Sequence, residues 1–164
     1  MTSNKKNSKD RLFGSPASAD FLLENYPFFL VDRINSAYGL AIENVLRKHN
    51  MERIQWQLLL IMREQDPISI SELASVSGRK LSTVSRTIER MRKEGLVSTS
   101  TRKSDQRVTE VKLEEGGRRR LVLLIDVANR QYLHAMQGLG NRDIKKLQEQ
   151  LSTIFENLSR SPFE

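Results

Sequence analysis

The chain has no cysteine, which excludes disulfides, thiolate metal sites and thiol redox sensing. It has two histidines, His49 and His134, 85 residues apart and without a clear carboxylate partner, too few for a zinc centre. Long apolar runs are also missing. None exceeds five residues, Leu121 to Ile125 among them, against the roughly 20 residues that cross a bilayer. Met1 to Arg11 is polar and lysine-bearing, and no apolar stretch of signal-peptide type follows it. No Phe, Tyr or Trp occurs between Ser69 and Leu113, so the stacking platforms of RNA-binding domains are absent there. There is no P-loop and no G-x-S-x-G, and Gly138 and Gly140 lack the third glycine and preceding strand of a dinucleotide loop. Glu114-Glu115 is a natural helix start, not a paired acid–base site. The expectation is a non-enzymatic cytoplasmic protein without metal, cofactor or membrane partner.

Positive charge is present, and it is concentrated. The chain carries 27 Lys or Arg against 20 Asp or Glu, a net of +7. Arg79 to Arg120 alone holds 13 against 6, also +7, so everything outside that segment sums to zero. Such a field is the electrostatic footprint of a phosphate-binding surface. Apolar content of 38% and a mean hydropathy of −0.50 are modest, as expected where apolar surface closes only against a second subunit.

Residues 1–20, rich in Ser, Asn and Lys, are expected to form a flexible tail. From Pro27, Leu30, Ile34, Ala37, Tyr38, Ala41, Ile42, Val45 and Leu46 recur at three-and-four spacing, which predicts a helix ending near Lys48-His49-Asn50. A second helix, Arg53 to Glu64, is apolar nearly all round and should be buried. Asp66-Pro67 breaks the chain. Ser69-Ile70-Ser71-Glu72 then matches a capping box, with Ile68 and Leu73 at the positions of a hydrophobic staple. That short helix should stop at Gly78.

The next helix, Leu81 to Glu94, is expected to bury Leu81, Val84, Ile88 and Met91 and to turn Ser82, Thr83, Ser85, Arg86, Glu89, Arg90 and Lys93 outward. Short hydroxyls let the backbone approach DNA, and arginine can reach guanine O6 and N7 in bidentate fashion. The same residues also suit a solvated face carrying ion pairs such as Arg86 with Glu89 or Arg90 with Glu94. Val97 to Thr101 and Val108 to Leu113 read as a two-stranded ribbon with a tip from Arg102 to Arg107. At that tip Arg102 and Lys103 would touch phosphates, Asp105 would shape the turn and hold a neighbouring arginine, and Arg107 would enter the minor groove. An ordinary solvated turn also favours Asp and Ser. Two more helices follow, about Glu115 to Met136 and another that Asn141 can cap, with Ile144, Leu147, Leu151, Ile154 and Leu158 along one stripe.

Together these residues resemble the MarR family of dimeric winged-helix transcription regulators. Ser69-Ile70-Ser71-Glu72-Leu73-Ala74 is similar to the start of the family's first DNA-domain helix, and Ser82-Thr83-Val84-Ser85-Arg86 to its recognition helix. Asp105-Gln106-Arg107, followed by Val111-Lys112-Leu113 and Gly117, resembles its D-x-R wing and the exit from it. Trp56 falls where the family often has an aromatic residue. The pattern departs at Lys80, where Ser, Thr or Asp would usually cap the recognition helix, and at Glu114, which replaces a threonine.

The resemblance implies a mainly α fold with a small β wing. Residues 51–114 would form the winged helix-turn-helix, and 27–50 with 115–160 a helical dimerisation region. It implies a homodimeric regulator, as repressor, on a pseudo-palindromic operator in double-stranded DNA. It also implies release by a small anionic or aromatic effector, for which Tyr38, Arg53 and Trp56 are the candidate pocket residues, although aromatics at helical spacing usually pack in a core. The alternative is a winged-helix module whose basic face binds an acidic protein. A protein-binding helix would favour exposed aromatics and aliphatics, where this chain has Ser82, Thr83, Ser85, Arg86 and Arg90.

Overall fold

The computed structural model describes residues 14–160, and most of the expected N-terminal tail lies outside them. After a short 3-10 turn (Leu23–Asn25), α1 (Pro27–Arg47) begins with proline at its first position, where the missing N–H has no partner to lose. It ends at a turn in which Asn50 takes a left-handed conformation, φ 50°. Then come α2 (Arg53–Glu64), β1 (Ile68–Ser69), α3 (Ile70–Ser77), α4 (Leu81–Lys93), β2 (Val97–Arg102), β3 (Asp105–Leu113), α5 (Glu115–Ala135) and α6 (Asn141–Ser159).

The chain divides into two compact units that meet within α5, between Leu121 and Val122. The first unit holds α1 together with the winged helix-turn-helix. Its core is filled by Leu58, Leu59 and Met62 from α2, Leu73 from α3, and Val84, Ile88 and Met91 from α4. Ile68, Val97, Val111 and Leu113 close it from the sheet. The heptad-like spacing of Val84, Ile88 and Met91 puts all three on one face of α4, which is why that helix has a buried and a free side.

The sheet has three strands, not the expected two. Ile68 and Ser69 pair antiparallel with Val111 and Glu110, giving the order β1-β3-β2. A two-residue strand leaves no periodic trace in a sequence. The ribbon is also longer than expected. Its strands reach Arg102 and Asp105, so the tip shrinks to Lys103 and Ser104, and the register shifts between Thr101 and Arg102. Regular pairing thus stops at Thr101 opposite Thr109, and Gln106 to Val108 form the irregular side of the tip.

Two further expectations are corrected. Leu81 is not buried but 54% exposed, because it occupies the first turn of α4, beyond the end of the core. Thr87 is buried instead, its hydroxyl donating to the Thr83 carbonyl at 2.9 Å, so no hydrogen-bonding group is stranded. Asn141 does not cap α6. It is the first helical residue, and the Asp143 carboxylate reaches back to accept from Gly140 N–H at 2.9 Å. In the second unit α6 leaves Leu147, Leu151, Phe155 and Leu158 substantially exposed.

Candidate nucleic-acid interface

The helix-turn-helix is built by local chemistry. The Ser69 side chain accepts from Glu72 N–H at 3.2 Å, and the Glu72 carboxylate accepts from Ser69 N–H at 2.9 Å and from its hydroxyl at 2.5 Å. This is the expected capping box. Gly78 then adopts φ 63°, and its N–H bonds to the last turn of α3, which swings the chain into α4. Lys80 starts α4 without a side-chain cap, as its type dictates.

The Glu72 carboxyl is held below the ordinary value of 4.5, first by the Ser69 hydroxyl, then by the Ser69 N–H, with Arg102 adding to both. A carboxyl lowered in the folded state stabilises above its unfolded value and loses that contribution as pH falls through the folded one. The thermal-midpoint advantage of the native chain over Glu72→Gln should therefore shrink from neutral pH to about pH 3. An advantage that stays constant over that range would rule out this linkage.

On α4, Ser82, Thr83 and Arg86 are exposed and Ser85 is half-buried, its hydroxyl turned back to the Leu81 carbonyl at 2.9 Å. Thr83, Ser85, Arg86, Thr87, Glu89 and Arg90 line a shallow groove along the helix. Among the described residues Arg86 makes no ion pair. The other cations of the helix do. Arg92 pairs with Glu89 at 2.9 Å, Lys93 approaches the same carboxylate at 3.8 Å, and Arg90 grips Glu52 through both guanidinium nitrogens at 2.5 and 2.8 Å. The expected pairs, Arg86 with Glu89 and Arg90 with Glu94, are replaced by these.

On the wing, Arg102 is held by Glu110 at 2.7 Å and lies 3.6 Å from Glu72. Its charge is balanced inside the fold, where it fastens the ribbon to the start of α3. Hydrogen bonding to Glu110 is the main reason its pKa is raised. Asp105 Oδ1 accepts from the Arg107 backbone N–H at 3.0 Å and sits 3.3 Å from Arg107 Nε. An Asp that bonds two residues ahead makes its own turn. It leaves the Arg107 side chain 93% exposed beside the tip residue Lys103.

Asp66 was not expected to matter beyond breaking the chain. It accepts from Leu113 N–H at 3.0 Å and from Arg118 at 2.6 Å, tying the end of β3 to the start of α5. Gln55 and Glu52 were missed in the same way, and Glu94 was expected beside Arg90: Gln55 accepts from Glu52 N–H at 2.9 Å and donates to Glu94 at 3.0 Å. The Glu52–Gln55 bond is local, but the Gln55–Glu94, Arg90–Glu52, Leu113–Asp66 and Arg118–Asp66 partners are 38 to 52 residues apart, so no local spacing reveals them.

Of the candidate pocket residues, Arg53 lies over the Tyr38 ring at 5.5 Å and donates to Asn35 at 2.6 Å. Its guanidinium rests against Gly39, where a Cβ would come within 2.6 Å. Trp56 is 3% exposed and belongs to the core, with its indole N–H lacking a partner among the described residues. The described residues hold no cluster of metal-binding side chains and no helix long and apolar enough to cross a membrane.

The model of the MarR family matches residues 51–109, the segment that carries α2 through the wing. The HTH-type transcriptional repressor IacR of Pseudomonas putida is 32% identical over 143 residues, covering 87% of this chain and 86% of that protein. A MarR-family regulator from Silicibacter pomeroyi superposes with a TM-score of 0.77 at 23% identity, over 85% of this chain and 94% of that one. Bordetella bronchiseptica BpsR, whose DNA binding is regulated by 6-hydroxynicotinic acid, gives a TM-score of 0.68 at 19% identity, over 76% and 95%. With the capped helix-turn-helix, the D-x-R wing and a repressor relative matched along most of its length, this chain belongs to the MarR family and is a DNA-binding transcriptional regulator.

Proposed function

We propose that the chain acts as a homodimeric repressor that lays one α4 in the major groove of each half of a pseudo-palindromic operator. The observation that carries this reading is the unpaired Arg86, exposed among Ser82 and Thr83 on the free face of α4. Arg86 is the reader of a base edge, and Ser82, Thr83 and Ser85 line its approach. Lys103 meets a phosphate, and Arg107, aimed by Asp105, enters the minor groove. Two copies would place their half-sites roughly 34 Å apart.

Dimerisation is supported by apolar surface that each unit leaves open. In α1, Phe28, Leu30, Val31 and Ile34 are exposed, and in α6 Leu147, Leu151, Phe155 and Leu158. Faces of this kind are covered in a stable protein. The stacked Tyr38 and Arg53 offer an aromatic ring and a cation to a small aromatic or anionic effector. The regulation of BpsR by 6-hydroxynicotinic acid supports that class of ligand.

Fluorescence anisotropy against the upstream intergenic DNA and a shuffled duplex, over a salt series, tests the reading. Preference for the upstream DNA of about 10³-fold or more at dimer stoichiometry is expected. Equal, steeply salt-dependent binding to both would count against an operator there, and no binding at all would favour the protein-interaction alternative. Arg107→Ala should lose most affinity on sites with A·T-rich flanks, where the groove narrows. An unchanged preference for such flanks would remove Arg107 from the minor groove.

A further inference from the structure

By residue type and position Arg90 belongs with the DNA-reading set. It lies on the outward side of α4, one turn beyond Arg86. Its surroundings give it a different role. Both of its terminal nitrogens are bonded to the two oxygens of one carboxylate, Glu52, which precedes α2. Glu52 is itself anchored, because its backbone N–H donates to Gln55 Oε1 at 2.9 Å. Buried Gln55 then turns its amide to Glu94 at 3.0 Å, immediately past the end of α4. The C-terminal half of α4 is therefore fastened to the first turn of α2 at two points, residues 90 and 94.

We propose that Glu52 withholds Arg90 from DNA and uses it as a brace that sets the angle of the recognition helix, so that Arg90 is a positioning residue and not a phosphate contact. This rests on the operator-binding reading above. A bidentate guanidinium–carboxylate pair satisfies the donors that a phosphate would need, and the Glu52 charge repels a phosphate that approaches them. Both partners are about half exposed, so the pair adds little to stability, and its effect falls on geometry and on charge. Glu94 is the other carboxylate facing Arg90. The brace also starts next to Arg53, so the residue that stacks on Tyr38 is the chain neighbour of the one that holds α4.

The salt dependence of binding separates the two roles, since each phosphate neutralised by a cation adds about 0.9 to the slope of log K against log salt. The probes are a random-sequence duplex and the upstream intergenic DNA, titrated with full-length protein. Arg90→Gln should leave the slope on the random duplex at its native value while lowering the ratio of upstream to random affinity. Glu52→Gln, nearly isosteric at an exposed site, should free Arg90 and steepen that slope by about 0.9. The double variant Glu52→Gln with Arg90→Gln should return it to the native slope. A slope flattened by about 0.9 in Arg90→Gln alone would show that Arg90 already holds a phosphate and would overturn the proposal. So would an unchanged slope in Glu52→Gln, or a steepening that persists in the double variant, which would reflect overall charge. Failure of the native chain to bind either duplex would instead overturn the operator-binding reading.

Discussion

Replacing Arg86 with alanine is expected to weaken binding to the cognate site by about 1–3 kcal/mol and to relax specificity at one base pair. The physical basis is that Arg86 is the α4 cation without an ion pair among the described residues, whereas Arg90, Arg92 and Lys93 are each engaged by a carboxylate. A guanidinium not already satisfied by protein acceptors has its fork free for guanine O6 and N7. The loss should therefore be larger on the selected site than on random DNA. Equal losses on both would mean that Arg86 meets phosphate only, and its assignment as a base reader would fall. Because its side chain braces nothing inside the fold, the variant should keep the native thermal midpoint.

Gly117→Ala is expected to destabilise the first unit by about 1–3 kcal/mol or more, as overpacking does in a site that cannot yield. A Cβ there would overlap the Leu96 carbonyl oxygen, with Leu113 Cδ2 3.2 Å away on another side. The obstacle is backbone, and that backbone is held, since Leu96 also accepts from Glu114 N–H at 3.0 Å and donates to the Met91 carbonyl at 2.9 Å. Relief would have to come from moving the start of α5 away from the turn between α4 and the wing. Gly116 faces a similar contact, with Gly95 O 2.5 Å from its added Cβ. Urea denaturation reads the effect directly. A midpoint equal to that of the native chain would show that this approach is looser than the geometry states.

The departures from expectation have separate physical origins. Thr87 reads as polar, yet it is buried, because its hydroxyl is satisfied one turn back along its own helix. Leu81 reads as core, yet it is exposed, because periodicity marks a face of a helix and does not say where the core ends along the axis. Ile68 and Ser69 pair with β3, and that pairing depends on a partner strand more than 40 residues away. For Arg90 and Arg102 the unexpected observation is a carboxylate partner, Glu52 on the approach to α2 for the one and Glu110 on the paired strand for the other.

What the sequence by itself determined was local: the α2 boundaries at Arg53 and Glu64, the Ser69–Glu72 capping box, the Gly78 turn, the order of helix, helix and wing, and the concentration of positive charge. These rest on interactions within about four residues, or on the hydrophobic period that one helix or strand writes along the chain. Only the tertiary structure decided that Arg90 is held while Arg86 remains free. A guanidinium is the same group whether it faces solvent, as Arg86 does, or a carboxylate 38 residues away, as Arg90 does, and folding alone sets that distance.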